Sequence, residues 1–146
     1  MRLLHSIMFA LASLLVIAPA QALSPYYFFF DSGSSRLTPH ALSMLETAVA
    51  GIALTHAVEI EIVGAADRAG SEAHNMALSR RRAEAIRSAL LARGMSRSVI
   101  VRITAIGEAT PLVETEDGVA EAQNRFAYVL LRRFATTTPL LRQEGH

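Results

Sequence analysis

The residues best suited to chemistry lie in one stretch, GAADRAGSEAHNMALSRRRA, at positions 64–83. Asp67 lies in a turn rich in glycine and alanine, and Asn75 and Arg82 follow on a segment whose pattern predicts a helix. Asn75, Leu78 and Arg82 are spaced i, i+3 and i+7, so they share one helical stripe. A loop folded over the start of this helix would bring Asp67 towards that stripe.

The spacing leaves two interpretations of Asp67 and Arg82 open. The two side chains can pair with each other in a structural salt bridge, which is common on protein surfaces and carries little functional information. Alternatively, Asp67 binds an ammonium group while the planar guanidinium of Arg82 binds a carboxylate, so that together they hold a zwitterion. Backbone N–H groups at the start of the helix would help to bind the anionic end.

The N-terminal segment has the layout of a secretory signal peptide. Arg2 precedes an apolar run over residues 3–17, and small residues follow in the sequence APAQA. We assign residues 1–22 to this signal, cleaved after Ala22 or alternatively after Ala20, and expect export. The chain contains no cysteine, which excludes disulfides and the lipid-acceptor thiol of a lipoprotein, so we expect an unlipidated protein.

Composition and spacing also exclude several classes of function. The net charge of +1 lacks the basic excess of a nucleic-acid binder, so no nucleic-acid partner is expected. His40, His56, His74 and His146 are widely separated, and we expect neither a metal nor another cofactor. Without a cysteine nucleophile, a metal cluster or a Ser/His/Asp arrangement, we expect no enzymatic activity.

The hydrophobic pattern predicts one domain, residues 23–134, with the element order β-α-β-α-β-β. The predicted strands span 26–30, 56–64, 98–107 and 124–134, and the predicted helices span 39–55 and 72–93. The first strand, YYFFF, is apolar on both faces and is predicted to be an interior strand. Thr38 and Ser71 suit N-caps and Gly94 suits a helix end. Residues 135–146 lack periodicity and are predicted to form a flexible tail.

These elements predict a two-layer α/β (α+β) sandwich, with both helices packed on one face of a mixed sheet. The helix residues expected to contact the sheet are Leu42, Leu45, Ile86 and Leu90. In the second strand, Val58, Ile60 and Ile62 alternate with Glu59 and Glu61, so the other face of the sheet is expected to be partly exposed.

Several motifs occur in the order typical of the OmpA C-terminal-like domain, the peptidoglycan-binding module of the OmpA, Pal and MotB proteins. Residues 64–83 resemble that family's signature, G-x-T-D-x-x-G-[ST]-x-x-x-N-x-x-L-S-x-x-R-A. The segments FFFDS, LTPHALSMLETAV, GEATPL and NRFAYVLL are similar to its first strand, first helix, G-E-x-x-P turn and closing strand. The resemblance covers most of residues 26–132 and implies the OmpA-like fold.

The resemblance also implies a ligand and the residues that contact it. Asp67 and Arg82 match the pair that, in the family, grips diaminopimelate, the stem-peptide residue with a free amino-carboxylate end. Asn75 matches the family's supporting amide, and Arg125 matches the first arginine of its N-R-R motif. The remaining positions implied to line the site are Asp31, Leu78 and Ala66.

This chain departs from the family pattern within the site. Ala66 replaces the usual threonine, which removes a hydrogen bond worth about 0.5–1.5 kcal/mol, and Phe126 replaces the second arginine of N-R-R. We expect a non-catalytic peptidoglycan-binding module that supports the envelope of a Gram-negative cell. We expect it in the periplasm or associated with the outer membrane, with envelope proteins as further partners. The alternative is a degenerate OmpA-like domain that has a structural or partner-binding role and does not bind peptidoglycan.

Overall fold

The computed structural model describes residues 24–55 and 59–132. The predicted signal peptide, the start of the predicted second strand (56–58) and the predicted tail lie outside the described residues. The elements are β1 (Tyr26–Phe29), α1 (Pro39–Thr55), β2 (Glu59–Gly64), α2 (Glu72–Ala92), β3 (Ile100–Ala105) and β4 (Phe126–Arg132). Short 3₁₀ helices at Arg97–Val99 and Ala122–Asn124 precede the last two strands. The predicted order β-α-β-α-β-β is confirmed.

The strands form one mixed sheet in the order β1-β4-β2-β3. Strand β4 is antiparallel to β1 and β2, and β2 is parallel to β3. The prediction of an interior β1 was wrong, because this strand lies at the edge of the sheet. The strand is apolar on both faces for another reason. Phe28 is buried under the helices. On the opposite face, the ring centroid of Tyr27 lies 5.5 Å from the ring centroids of Phe126 and Tyr128.

Both helices pack on the same face of the sheet, so the predicted two-layer α/β sandwich is confirmed. Helix α1 contacts β1, and α2 contacts β2, β3 and β4. The largest fully buried side chains of the core are Phe28, Leu45, Ile60, Ile62, Ile86, Leu90, Val129 and Leu131. Leu42 was wrongly assigned to the core, since it is 40% exposed. Helix α1 instead buries the stripe Ala41, Leu45, Ala48 and Ile52.

The helix ends follow the predicted caps. Thr38 Oγ1 accepts a hydrogen bond from the N–H of Ala41 at 3.1 Å, and Ser71 Oγ accepts one from the N–H of His74 at 3.2 Å. Gly94 follows α2 with φ of 85°, the left-handed conformation that favours glycine. Within residues 24–55 and 59–132, no helix is long and apolar enough to cross a membrane.

The end of β2 lies in direct backbone contact with α2. A Cβ atom at Gly64 would lie 1.9 Å from the carbonyl oxygen of Ser79, so only glycine fits. The hydroxyl of Ser79 accepts the N–H of Gly107 at 3.0 Å, and Gly107 O accepts the N–H of Ala66 at 2.8 Å. These contacts join β2, α2 and the loop after β3, and they fix the starting point of the turn that carries Asp67.

Candidate functional site

Asp67 follows β2 and is only 4% exposed. Its Oδ2 accepts a hydrogen bond from Arg125 Nη1 at 3.2 Å and another from the backbone N–H of Glu121 at 3.1 Å. The carboxylate therefore links the turn after β2 to the 3₁₀ helix and arginine that precede β4.

Arg82, on α2, is completely buried. Its Nε donates to Ser34 O at 2.9 Å, Nη1 to Ala65 O at 2.9 Å, and Nη2 to Asp31 O at 3.1 Å. Its Cζ also lies 5.2 Å from the ring centroid of Phe30, within range of a cation–π contact. All three guanidinium nitrogens thus donate to backbone carbonyls, which hold the loop after β1 against the end of β2.

The direct Asp67–Arg82 salt bridge that the spacing allowed is not formed. Asp67 pairs instead with Arg125, which reaches the carboxylate from the start of β4, while the guanidinium of Arg82 donates to backbone carbonyls. Burial lowers the pKa of Arg82 from its usual value to about 10, and the negative charge of Asp67 opposes that shift. Arg82 therefore remains cationic at neutral pH.

Three further predicted site residues are also buried. Leu78 and Ala66 are each 2% exposed, and Asn75 is fully buried. Asn75 Nδ2 donates to Glu108 Oε2, whereas Asn75 Oδ1 has no hydrogen-bond partner among the described residues. Asn75 is therefore the one of these three residues that keeps an unused polar atom.

Asp31 and Arg125 form the accessible part of the predicted site. Arg125 Nε donates to Phe30 O at 3.1 Å, and its Nη2 makes no hydrogen bond within the described chain. The carboxylate of Asp31 is exposed and forms no ion pair or hydrogen bond with any described residue. Both side chains line a cavity of about 390 Å³. Its other lining residues are Phe29, Phe30, Thr38, His40, Ala122 and Gln123.

The structure adds residues that the sequence reasoning missed. Asn124 pairs with both backbone groups of Val113, accepting its N–H at 2.9 Å and donating to its carbonyl at 2.7 Å. These bonds hold the loop after β3 against the start of β4, and the NRF motif could have indicated this role. Ser34 and Glu121 contribute backbone atoms, for which a pattern of side chains gives no signal.

No group of three or more histidine, aspartate or glutamate side chains in the described chain could hold a metal ion. Of the charged groups near Asp67, Arg125 donates to its carboxylate and to a backbone carbonyl, and Arg82 donates to three backbone carbonyls.

Comparisons with known proteins identify the family. The model of the OmpA family matches residues 29–125. The chain is 33% identical over 103 residues to the probable lipoprotein YiaD of Escherichia coli K12, covering 70% of this chain and 46% of YiaD. It is 31% identical over 108 residues to the peptidoglycan-associated lipoprotein of Pseudomonas putida, covering 74% of this chain and 63% of that protein. This chain therefore spans less than two thirds of either relative.

A solved structure agrees with these sequence matches. The peptidoglycan-associated lipoprotein from Burkholderia pseudomallei superposes with a TM-score of 0.64 at 27% identity, covering 74% of this chain and 90% of that one. The segment that matches the family model contains Asp67, Asn75 and Arg82. The protein is therefore a member of the OmpA family.

Proposed function

We propose that this protein is a non-catalytic periplasmic module that binds peptidoglycan through the free amino-carboxylate end of diaminopimelate. Membership of the OmpA family and the similarity to proteins named peptidoglycan-associated lipoprotein support the polymer as the ligand. The signal peptide predicted from residues 1–22 supports a periplasmic location. Diaminopimelate suits the site because its free end carries both an ammonium and a carboxylate group.

The observation that carries the proposal is the Asp67–Arg125 ion pair beside a cavity. The side chain of Asp67 is 5% exposed and that of Arg125 is 17% exposed, so the pair is largely shielded from bulk solvent. Charge-assisted hydrogen bonds are stronger in such a shielded environment than in water. The guanidinium of Arg125 has a free N–H edge that can bind a carboxylate, and the carboxylate of Asp31 or Asp67 in the same site can bind the ammonium. One site therefore complements both charges of a zwitterion.

The other residues of the predicted site have supporting roles in this proposal. Asn75 is fully buried and supports the site from below: its Nδ2 donates to Glu108 Oε2, and its Oδ1 has no partner in the described chain. Leu78 and Ala66 are buried apolar residues of the same region. Because Ala66 has no hydroxyl, the site lacks the one additional hydrogen bond that a threonine could form there.

Retention on purified sacculi tests the proposal. The wild-type protein should sediment with sacculi, and free meso-diaminopimelate should release it. Asp67→Asn should weaken retention, because it removes the charge that orients Arg125. Asp117→Asn, the same substitution on an exposed loop residue, provides the matched control. The proposal fails if the folded wild-type protein is not retained.

A degenerate domain that does not bind peptidoglycan is the second candidate function. The observation that favours it is the full burial of Arg82, one of the two charged residues matched to the family's ligand-binding pair. Such a protein would contribute to the envelope through a protein partner. Loss of sacculus retention together with specific capture of an envelope protein would favour this candidate.

A further inference from the structure

We infer that the face of the sheet opposite the helices, called here the outer face, is a second binding site, which takes the N-acetylated sugars of the peptidoglycan glycan strand. The inference rests on the proposed function and deepens it, because it assigns a surface to the sugar part of the same polymer. The outer face consists of the strand residues that alternate with those of the core.

The strand register places two tyrosines side by side on the outer face. Tyr27 of β1 pairs with Tyr128 of β4, and the residues that follow them, Phe28 and Val129, belong to the core. The ring centroids of the two tyrosines lie 5.5 Å apart. Because both helices pack on the other face of the sheet, these two rings remain partly exposed. They form an aromatic surface that a ligand can reach.

Charged side chains continue the outer face beyond the tyrosines. Glu61 lies opposite Leu130 of β4 and opposite Arg102 of β3. Its Oε2 accepts a hydrogen bond from Arg132 Nη2 at 3.0 Å, and its Oε1 lies 3.9 Å from Arg102 Nη1. The side chain of Glu61 is 13% exposed, whereas those of Arg102 and Arg132 are 66% and 46% exposed. One carboxylate thus orients two guanidinium groups, whose remaining N–H groups face solvent.

This combination of groups matches an N-acetylated sugar. The C–H face of a sugar ring is apolar and packs on aromatic rings, whereas its hydroxyl and acetamido groups need hydrogen-bond partners. The hydroxyls of Tyr27 and Tyr128 form no hydrogen bond within the described residues. Burial, and secondly the charge of Glu61, raise the pKa of Tyr128, so its hydroxyl can donate at neutral pH. An uncharged ligand also suits a face on which both arginines are already paired with a carboxylate.

The outer face is continuous with the cavity beside Arg125. Phe29 belongs to both, because its ring lies 6.3 Å from that of Tyr27 and also lines the 390 Å³ cavity. Tyr27 precedes Phe29 by two residues of β1, a distance of about 7 Å along the strand. Each extended residue of a stem peptide spans up to about 3.6 Å, so a short peptide can join diaminopimelate in the cavity to a sugar on Tyr27. Two linked contacts raise the affinity above that of either one.

Calorimetric titration with three matched probes tests the inference. They are a stem tripeptide that ends in diaminopimelate, the same tripeptide on its N-acetylglucosamine–N-acetylmuramic acid disaccharide, and the disaccharide without peptide. The wild-type protein should bind the sugar-bearing peptide about tenfold more tightly than the bare tripeptide. Tyr27→Leu should remove this advantage and leave the affinity for the tripeptide unchanged, because leucine is apolar but has no planar ring. Tyr27→Phe, which keeps the ring, should keep most of the advantage.

Arg102→Gln tests the polar part of the outer face. The side chain is 66% exposed, so the fold should tolerate the substitution. Loss of the guanidinium should reduce the advantage of the sugar-bearing peptide to about threefold. Arg97→Gln, at an exposed position of the 3₁₀ helix before β3, is the matched control and should change neither affinity. Circular dichroism establishes that each variant is folded.

The two proposals fail in different ways. If the wild-type protein binds the tripeptide and the sugar-bearing peptide equally well, or if Tyr27→Leu and Arg102→Gln weaken both by the same factor, the inference is overturned and the proposed function stands. If the protein binds the disaccharide through Tyr27 but does not bind the tripeptide, the proposed contact with diaminopimelate is wrong and the inference stands. A dimer that Arg102→Gln dissociates without any change in affinity for the sugar-bearing peptide would assign the outer face to a second copy of the chain and overturn the inference.

Discussion

Arg82 and Arg125 approach the same end of the sheet from different elements. Arg82, on α2, is fully buried and bonded to three backbone carbonyls, whereas Arg125, just before β4, is partly exposed and bonded to one carbonyl and one carboxylate. A buried cation bonded to three carbonyls stabilises its surroundings, while a partly exposed one with an unbonded nitrogen can also bind a ligand. Charge and proximity therefore do not by themselves identify the binding group.

The same contrast extends to the two regions that contain these arginines. The junction, defined as Gly64, Ala65, Ser79 and Arg82, lies where β2 meets α2 and is buried throughout. The rim, defined as Phe29, Asp31, Gln123 and Arg125, borders the cavity and is exposed to differing degrees. If the comparison is correct, substitutions in the junction reduce stability, and substitutions at the rim reduce binding with little effect on stability.

The largest effect is expected from Gly64→Ala. The new Cβ would lie 1.9 Å from the backbone oxygen of Ser79, so α2 must move away from the sheet, and we expect a loss of about 4 kcal/mol in the free energy of unfolding. Urea denaturation followed by circular dichroism measures this.

Gly51→Ala is the matched control for Gly64→Ala. Its new Cβ would lie 2.1 Å from the hydroxyl of Tyr26, the far end of a flexible side chain that can move. Because alanine also favours the helix by up to about 1 kcal/mol, this variant should be close to wild type in stability. If both variants lost the same free energy of unfolding, the backbone contact between Gly64 and Ser79 would be no more important for stability than the contact at Gly51.

Arg82→Met should cause the next largest loss, about 3 kcal/mol in the free energy of unfolding. Methionine fills much of the volume but leaves the carbonyls of Ser34 and Ala65 without the guanidinium donor, and the carbonyl of Asp31 with only the N–H of Ser34. Thermal unfolding compared with Arg81→Met, at the adjacent exposed position, measures the effect. A stability equal to that of the control would contradict the assignment of Arg82 to the junction.

Ser79→Ala should cost less, about 1.5 kcal/mol. It removes the hydroxyl that accepts the N–H of Gly107 at 3.0 Å and donates to Met76 O at 2.8 Å, so a buried N–H loses its partner. Hydrogen exchange should accelerate most at Gly107. The control is Ser88→Ala, on the exposed face of the same helix, which should leave both stability and exchange unchanged.

Much of the fold could be predicted from the sequence because its signals are local. Periodicity and capping residues gave the element order, and Ser71 and Gly94 marked the ends of α2. The edge position of β1 could not be predicted in this way, because a strand packed between α1 and outer aromatic rings has the same pattern as an interior strand. Strand order depends on long-range pairing that residue periodicity does not contain.

The candidate site was predictable as a set of residues but not as a set of contacts. The motif around Asp67 identified the correct region, yet the partner of Asp67 is Arg125, 58 positions along the chain. The partners of Arg82 are backbone carbonyls, which every residue possesses, so no pattern of side chains could reveal them. Burial of a guanidinium depends on how the loop after β1 folds, and that loop carries no periodic signal.

The smallest change in stability is expected at the rim, where Asp31→Asn should alter the free energy of unfolding by no more than about 0.5 kcal/mol. The carboxylate has no partner among the described residues, and the atom of Asp31 that Arg82 bonds is the backbone oxygen, which the substitution retains. Urea denaturation in the absence of ligand measures this directly. A loss above about 1 kcal/mol would mean that the side chain of Asp31 stabilises the loop, and the division between a structural junction and a binding rim would then fail at the residue on which it most depends.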